Sequence, residues 1–413
     1  MTSDKTAAHT PRSRPTQPVL WHAGAVLSAL MAFASISTDF YLPAMPEMAK
    51  DLTAAPGRIE LTISGYLIGI SLGQLFWGPI SDRVGRRLPV AIGIVLFIIG
   101  SSGCGLAQSV SSIIAWRVIQ AIGAAASIVL SRAMVRDLYD GDRAAQVMSL
   151  LMAVMTISPL IAPNAGALIV SHSSWRMIFA LLVVIGLVTL VALFTLPETL
   201  PSRREGASSK GAVLSELGAA MLDYGRLLKS RAVMSHALVC GFYYFGMFAY
   251  VAGSPFVFID YHQLPPSFYG LIFTTCVVGI TIGNLINSRL VMRIGRLTSL
   301  RAGSVGACLF GLWLAISAWS DLGGALGFFV PMFLFVSCTG LILPNALSGA
   351  LESSTNDAGA ISALCGAIQY GGGIFGSGLV GLCADGTAWP LGLLLALSGV
   401  GTLGFSLLLE REG

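Results

Sequence analysis

The chain has 413 residues, of which 55% are hydrophobic and 11% charged, and its mean hydropathy is +0.79. Soluble domains average roughly 25% charged residues, so this composition is too poor in charge to cover a water-facing surface. The net charge of +4 is small and gives nucleic acid no basic surface to bind. The sequence therefore predicts a protein embedded in a lipid bilayer.

The first 19 residues form a polar tail that carries Lys5, Arg12 and Arg14. The apolar stretch after this tail has full membrane length, whereas the apolar region of a signal peptide has about 7 to 15 residues. We therefore expect the tail to precede a first transmembrane helix and to remain attached to it.

Apolar stretches of about 20 residues, the length that crosses a bilayer as a helix, occur twelve times in two sets of six. The predicted spans are 21–45, 58–77, 88–107, 112–134, 146–170, 176–196, 232–259, 268–289, 299–319, 324–348, 358–383 and 387–408. This pattern predicts an all-α membrane protein with six-helix bundles at 20–196 and 232–408. A tail at 1–19, a linker at 197–231 and a tail at 409–413 complete the predicted organisation.

The linker contains apolar residues at three- and four-residue spacing, which predicts an amphipathic helix on the inner membrane surface. These residues are Leu214, Leu217, Met221, Tyr224 and Leu228. Such a helix can simply join the two halves, and the alternative is a regulatory docking site.

Basic residues are distributed unevenly between the two sides of the predicted spans. All Lys and Arg residues except Lys50, Arg58, Arg117 and Arg176 fall on one side of the predicted spans, in the tails, in the linker, or in or near the segments between spans on the same side as the tails. Because basic residues accumulate on the cytoplasmic side of a membrane protein, both termini are predicted to be cytoplasmic.

The seven cysteines lie within or at the ends of apolar stretches and form no Cys-x-x-Cys pair. We interpret them as small buried hydrophobic residues, since disulfides and metal sites need paired or clustered ligands. No metal is expected.

An internal repeat supports two duplicated halves, as in many transporters. Six residues of span two and the segment after it recur at an offset of 210 positions. The pairs are Gly69 and Gly279, Gly73 and Gly283, Arg83 and Arg293, Gly85 and Gly295, Arg86 and Arg296, and Gly93 and Gly303.

The segment between spans two and three reads Gly78-Pro79-Ile80-Ser81-Asp82-Arg83-Val84-Gly85-Arg86-Arg87. Gly and Pro suit a tight turn and the arginines suit anionic headgroups. The segment resembles the Gly-x-x-x-Asp-Arg-x-Gly-Arg-Arg signature of the major facilitator superfamily. At the corresponding position of the second half the residue is Met292, and not an acid as at Asp82. A role for this acid therefore belongs to the first half alone.

Two further segments resemble motifs of drug:proton antiporters in that family. Arg117 to Gly123 in span four is similar to Arg-x-x-Gln-Gly-x-Gly, with Ala121 where the first of its glycines is usual. Ala162 to Ala167 in span five is similar to Gly-Pro-x-x-Gly-Gly; it keeps Pro163 and Gly166 and replaces two glycines by alanine.

The segments Thr38 to Pro46 and Gly246 to Phe256 resemble the Bcr/CflA branch of bicyclomycin and chloramphenicol-type exporters. This resemblance covers nearly the whole chain. It implies a multi-pass protein of the bacterial inner membrane, acting as a monomer, that exports small drugs in exchange for protons and needs no cofactor besides the proton motive force. It also implies a cavity between the bundles, lined mainly by spans one, four, seven and ten.

Asp39 is the acidic residue that lies most clearly inside a predicted span. An ionised carboxylate there would be costly, so Asp39 is expected to face protein or water and to bind a proton. Ser28, Ala32 and Ser35 share its helical face. The alternative is a carboxylate at a helix end near the outer surface.

Arg117 is the only arginine well inside a predicted span, and it lies at a depth where pairing with Asp39 is possible. Gln120 shares its helical face. We expect Arg117 to take part in proton coupling with Asp39, and we expect Asp39, Arg117 and Gln120 to contact substrate. The alternative is an arginine that only ties helices together through carbonyl groups.

Span seven carries Tyr243, Met247 and Tyr250 at four- and three-residue spacing. Aromatic and Met side chains adapt to bulky, weakly polar molecules, so these residues are predicted to bind substrate, with Asn345 of span ten on the opposite wall. The alternative is ordinary helix packing.

The segment between spans two and three is assigned to gating. We expect Asp82 to accept hydrogen bonds from a neighbouring helix N-terminus, and Arg83 or Arg86 to pair with acids on the facing half. The full set assigned to gating is Gly78, Asp82, Arg83, Gly85, Arg86, Arg87, Pro163 and Gly166. A purely topogenic role for the arginines is the alternative.

Two other functions compete with drug export. A proton-coupled uptake or metabolite carrier would have the same fold. A membrane-embedded enzyme is more remote, because the five histidines are scattered along the chain.

Overall fold

A computed structural model describes residues 17–196, 198–199, 225–353 and 358–409. In these ranges the regular structure is helical. Its helices are α1 (Gln17–Asp39), α2 (Met45–Asp51), α3 (Pro56–Val84), α4 (Arg87–Leu106), α5 (Val110–Leu138), α6 (Gly141–His172), α7 (Arg176–Leu193), α8 (Arg231–Pro255), α9 (Pro266–Ile294), α10 (Arg296–Ser320), α11 (Gly324–Ser337), α12 (Thr339–Glu352), α13 (Ala358–Leu382) and α14 (Trp389–Leu407). Most of the amphipathic helix predicted in the linker lies outside the described residues.

Twelve helical segments of the described chain are long and apolar enough to cross a membrane, which confirms the predicted twelve spans. Span 1 consists of α1, a 3-10 turn at Leu42–Ala44 and α2, and span 7 consists of α8 and a π-helical turn at Phe256–Tyr261. Span 10 consists of α11 and α12, and every other span is a single helix. Because the number of spans is even, the first and the last span have their outer ends on the same side of the protein. This side is called the terminal face, and the opposite side is called the far face.

The spans pack as two bundles with the same pattern of neighbours. In the first bundle span 4 packs against spans 1, 2 and 3, and in the second bundle span 10 packs against spans 7, 8 and 9. Between the bundles, span 2 packs against span 11 and span 5 against span 8.

The internal repeat predicted from the sequence has the same geometry in both bundles. Spans 2 and 8 begin and end at positions related by the offset of the repeat, and each ends at a glycine with positive φ, +98° at Gly85 and +81° at Gly295. A Cβ at Gly69 would lie 2.5 Å from the Val118 carbonyl oxygen of span 4, and a Cβ at Gly283 would collide with the backbone of span 10. The repeated glycines therefore bring corresponding helix pairs into close contact.

The chain reverses direction at Gly85, and the turn expected at Gly78 and Pro79 is absent. Span 2 remains helical through Pro79 to Val84, and a Cβ at Gly78 would meet open space. Membrane helices tolerate an internal Pro because the freed carbonyl can be satisfied locally. The positive φ of Gly85 is the conformation that requires glycine.

All seven cysteines are free, and five of them are buried. The interpretation as buried hydrophobic residues is wrong for Cys383, which is exposed just beyond the far-face end of span 11. Cys308 is half-buried.

Candidate functional site

Asp39 is the last residue of α1, and its side chain is buried, with 7% exposed. The helix ends here because Pro43 has no amide hydrogen to donate to the Asp39 carbonyl. The chain then continues through the buried turn at Leu42–Ala44. Ser35 Oγ donates a hydrogen bond of 2.8 Å to Asp39 Oδ2. The carboxylate therefore lies at a helix end, as the alternative proposed, but it lies inside the protein.

Side chains from both bundles lie near Asp39, and the turn at Leu42–Ala44 that follows it contacts spans 7 and 8 of the second bundle. Tyr66 of span 2 and Arg117 of span 4 lie within electrostatic reach of its carboxyl group on one side, and Tyr250 of span 7 and Tyr269 of span 8 do so on the other. The structure thus places Asp39 where the two bundles meet.

Tyr66 and Tyr269 were not identified as site residues from the sequence. Both are buried, and both hydroxyls are bonded close to the site: Tyr66 to Ser37 at 2.5 Å and Tyr269 to Ser254 at 3.1 Å. The sequence does contain a pattern that indicates Tyr66. It lies three residues before Gly69 and therefore shares the helical face that packs against span 4.

Arg117 is fully buried and is held by span 1 and by aromatic rings. Its Nη1 donates hydrogen bonds of 2.8 Å to the Ser37 carbonyl and to Gln120 Oε1. Its guanidinium lies 4.2 Å from the ring centre of Tyr41 and 4.3 Å from that of Tyr66, at which range cation–π attraction stabilises a desolvated cation.

The pairing considered between Arg117 and Asp39 is not formed. No salt bridge joins these two residues in the described chain, and Arg117 Nε and Nη2 are buried without hydrogen-bond partners there. Arg117 does tie helices together through a carbonyl, as the alternative stated. Its two unused donors nevertheless remain available to an acceptor that enters the site.

Gln120 lies on the side of span 4 that faces span 3. It is fully buried, and its Nε2 donates a hydrogen bond of 2.8 Å to Ser101 Oγ, while its Oε1 accepts from Arg117. Gln120 therefore orients the arginine, and the structure does not place it on a wall between the bundles.

The three residues predicted to form a stripe on span 7 have two different environments. The Tyr243 hydroxyl donates to the Phe335 carbonyl at 2.8 Å, and its ring stacks on Phe335. Half-buried Met247 contacts Thr339 of the same span 10. Tyr243 and Met247 therefore pack within the second bundle.

Tyr250 has a different environment. Its ring stacks on Phe273 at a centroid distance of 5.8 Å, and its buried hydroxyl lies beside the Cys276 thiol, with no other hydrogen-bond partner among the described residues. Since Tyr250 also lies within electrostatic reach of Asp39, it is the member of the stripe that belongs to the site.

Asn345 connects two helices of the second bundle. Its side chain is 4% exposed, and its Nδ2 donates hydrogen bonds of 2.7 Å to Asn287 Oδ1 of span 8 and to the Leu341 carbonyl. These bonds give Asn345 a packing role in this structure.

Polar contacts join the two bundles near the far face. Lys50 forms an ion pair of 2.9 Å with Asp260, and Ser64 of span 2 bonds Ser377 of span 11 at 2.8 Å. The far face is therefore closed in this structure.

The motif in span five contributes to the same closure. Asn164 Nδ2 donates a hydrogen bond of 2.7 Å to Thr274 Oγ1 of span 8. Pro163 is buried, and Gly166 lies so close to the Phe40 carbonyl that a Cβ at this position would collide with it. Span 5 thus contacts both the facing bundle and the residue that follows Asp39.

At the terminal face, Arg86 is bonded within its own bundle. It forms ion pairs of 2.6 Å with Asp82 and 2.8 Å with Asp137 of span 4. Burial works against the charge of Arg86, but the bonds from Asp137 and Asp82 leave its pKa above its usual value. The expected pairing of Arg86 with acids of the facing half is wrong for this structure.

Asp82 was expected to accept hydrogen bonds at the N-terminus of a neighbouring helix. At the N-terminus of α4, Glu198 accepts such bonds instead. Its two carboxylate oxygens accept hydrogen bonds from the backbone amides of Arg86 at 2.8 Å and Arg87 at 3.1 Å. A carboxylate at this end of α4 complements both the free amides and the helix dipole. Arg87 also donates to the Phe194 carbonyl at 2.7 Å, whereas the side chain of Arg83 lies outside the described residues.

Twelve spans in two similar bundles, with a buried carboxylate and a buried cation where the bundles meet, are the architecture of a membrane transporter. Residues 27–377 match the Major Facilitator Superfamily, and the chain belongs to this family. It is a multi-pass transporter of the bacterial inner membrane and not an enzyme.

Several bacterial relatives align over nearly their full length. The chain is 34% identical to the uncharacterized MFS-type transporter YdgK of Bacillus subtilis, covering 94% of this chain and 96% of the relative. It is 31% identical to a bicyclomycin resistance protein homolog of Haemophilus influenzae, with 89% of each covered. It is 29% identical to a chloramphenicol resistance protein of Pseudomonas aeruginosa, covering 94% of this chain and 90% of the relative. These similarities confirm the expected resemblance to the Bcr/CflA branch.

The fold also resembles solved transporters. A crystal structure of a single-residue mutant of the nucleoside transporter NupG superposes with a TM-score of 0.77 at 14% identity, covering 95% of this chain and all of the other. At this identity the likeness concerns the fold alone.

Proposed function

We propose that this chain is a drug:proton antiporter that exports small amphipathic antibiotics, of the bicyclomycin or chloramphenicol type, by alternating access. The names of the relatives support the substrate class. The observation that supports the coupling mechanism is the burial of Asp39, without a paired cation among the described residues, at the contact between the two bundles.

In this mechanism Asp39 carries the proton. An unpaired ionised carboxylate is costly to bury, so Asp39 is protonated while the far face is closed over it. Opening of the terminal face brings water and drug to the site, and the proton leaves as the drug binds. Proton and drug therefore occupy the site in turn.

Arg117 and Tyr250 provide the contacts for a weakly polar drug. The two free donors of Arg117 can bind a carbonyl or hydroxyl oxygen, and Tyr250 offers an aromatic face and a hydroxyl. Because the Asp39 proton is lost when the drug enters, a neutral or monocationic drug and about one proton per cycle are the simplest combination.

The membrane potential is sufficient for this exchange. One proton that moves inward through about 150 mV releases roughly 3.5 kcal/mol, at about 2.3 kcal/mol per 100 mV. This free energy sustains a gradient of several hundredfold for a neutral drug, and no cofactor is required.

We place the terminal face in the cytoplasm. Arg86, Arg87, Arg136 and Arg143 lie at this face in the first bundle, and the positive-inside rule assigns such a side to the cytoplasm. The closed far face then faces the periplasm, from which the proton arrives.

The direction of transport is tested in a bacterial strain that lacks its own drug pumps. Expression of the wild-type chain is expected to lower the accumulation of chloramphenicol, and expression of the Asp39→Asn variant at the same level is expected not to. Raised accumulation in the wild-type strain would indicate an uptake carrier and would overturn export.

A further inference from the structure

A second carboxylic acid besides Asp39 is buried in this protein. Glu60 lies in the second turn of span 2, near the far face, and only 3% of it is exposed. Its Oε2 is buried without a hydrogen-bond partner among the described residues. Glu60 was not identified from the sequence because an acid so near the start of a helix is usually a solvated residue that interacts with the helix dipole.

The second bundle covers Glu60. Spans 2 and 11 touch through two glycines, since a Cβ at Gly381 would lie 2.5 Å from the Gly57 carbonyl oxygen and 3.2 Å from the Glu60 Cβ. One turn deeper, Ser64 bonds Ser377 across the same contact. Closure of the far face is thus what removes this carboxyl group from water.

Glu60 also lines a small cavity between the bundles. The part of this cavity that is open to water has a volume of about 50 Å³. The second bundle contributes Asp260, Tyr261, Val380 and Ala384 to its wall. A space of this size holds a few water molecules, so Glu60 has much less water around it than a carboxylate on the protein surface.

The cations near Glu60 are bonded to other groups. Lys50 pairs with Asp260 and Arg58 donates to Ser111. Asp260 and Tyr261 line the cavity together with Glu60, and Glu47 and Asp51 of α2 and Asp385 after span 11 lie on the same side. His262 follows Tyr261, and burial lowers the pKa of its imidazole although Asp321 opposes this, so its neutral form is favoured. His172 and Arg176 are the other basic groups at this face. Asp51 is itself bonded to Arg176. The surroundings therefore offer negative or neutral groups to Glu60 and favour its protonated form.

We propose that Glu60 is a second proton-binding residue, and that the far face closes only when its carboxyl group is protonated. The proposal rests on the proposed antiport function. When the bundles separate at the far face, water solvates Glu60 and its proton leaves to that side. When they close again, Glu60 takes a proton from the same side. Glu60 therefore makes closure depend on the pH outside, while net proton transport remains with Asp39.

The experiment measures closure itself and does not require transport. Nitroxide labels are placed at Gln108→Cys in the first bundle and Ser320→Cys in the second, both exposed near the far face, in a chain whose seven native cysteines are replaced. The chain also carries Asp39→Asn, so that Asp39 cannot titrate. Distances between the labels are measured by pulsed electron paramagnetic resonance in lipid nanodiscs from pH 5 to pH 8.

With Glu60 present, the ratio of open to closed far face is expected to rise with pH, by at most about tenfold per pH unit for a single proton. Glu60→Gln and Glu60→Met are expected to stay closed at every pH, because neither side chain can ionise. Asp385→Asn, which removes an exposed carboxylate close to the same cavity, is the matched control and is expected to keep the full pH response.

A pH response in Glu60→Gln and Glu60→Met that equals the response of the parent would overturn the proposal. So would a parent population that does not change with pH. Failure of drug export in cells would overturn the proposed antiport function but would leave these distance measurements unchanged. The failure of one proposal can therefore be distinguished from the failure of the other.

Discussion

The Arg117 guanidinium donates a 2.8 Å hydrogen bond to the carbonyl of Ser37, which lies in the last turn of α1, two residues before Asp39. The cation of span 4 thus holds the backbone that presents the acid of span 1. This bond joins spans 1 and 4 next to the acid.

Replacing Arg117 by Lys is expected to impair both stability and drug export. An ammonium group cannot make the planar contacts with Tyr41 and Tyr66, and each lost cation–π contact costs about 1 to 2 kcal/mol when desolvated. Thermal unfolding in detergent and drug export from cells measure the two effects. Arg58→Lys, at an exposed arginine of span 2, is the control. Equal behaviour of the two variants would contradict the structural role of Arg117.

The two tyrosines of span 7 are expected to differ in what their hydroxyl groups do. Tyr243→Phe removes the bond to the Phe335 carbonyl and should cost about 1 kcal/mol of stability, with drug affinity nearly unchanged. Tyr250→Phe should change stability less, since the only polar group beside its hydroxyl among the described residues is the weakly bonding Cys276 thiol, and should weaken drug binding. Unfolding temperature and drug titration by tryptophan fluorescence separate the two variants. The reverse pattern would contradict the placement of Tyr250 in the site.

Asp137→Asn is expected to slow transport several-fold and to leave equilibrium drug binding intact, as is Asp82→Asn. Each substitution weakens the bonds of Arg86 at the terminal face, which lies away from the drug site. Initial rates of drug uptake into inside-out vesicles and equilibrium binding provide the measurements. Asp140→Asn, at an exposed acid of the same face, is the control. A large loss of affinity in the Asp137 variant would exclude a gating role.

Two glycines of the motifs are expected to respond oppositely to a larger side chain. Gly166→Val forces span 5 away from the Phe40 carbonyl, and such overpacking costs about 1 to 3 kcal/mol. Gly78→Ala adds a methyl group in open space within a helix, where Ala is favoured over Gly by up to about 1 kcal/mol. Thermal stability and export are therefore expected to fall only in the Gly166 variant. Comparable loss in both would show that Gly78 has a contact in another state of the cycle.

Sequence patterns were sufficient for the two bundles of six spans because apolar stretches of membrane length and an internal repeat can both be read along the chain. The repeat pairs Gly85 with Gly295, and the chain turns at both residues, but Gly78 and Pro79 had been expected to form the first of these turns. Asp39 could be found in the same way, since an acid in an apolar span is conspicuous.

Contacts between spans could not be predicted in this way. Helical spacing put Tyr243 and Tyr250 on one stripe, but in the structure Tyr243 packs against Phe335 of span 10 and Tyr250 against Phe273 of span 8. Glu60 and Glu198 escaped notice because their environment comes from residues more than a hundred positions away, such as Gly381 for Glu60 and the amide of Arg86 for Glu198.

Proton movement in inside-out vesicles is the most direct test of the role of Asp39. A preset proton gradient is followed with a pH-sensitive dye, and chloramphenicol is added to vesicles that contain either the wild-type chain or Asp39→Asn at equal amounts. The drug is expected to dissipate the gradient only in vesicles with the wild-type chain, because only there can the exchange of drug and proton occur. Equal dissipation in both preparations would show that Asp39 does not couple the proton to the drug.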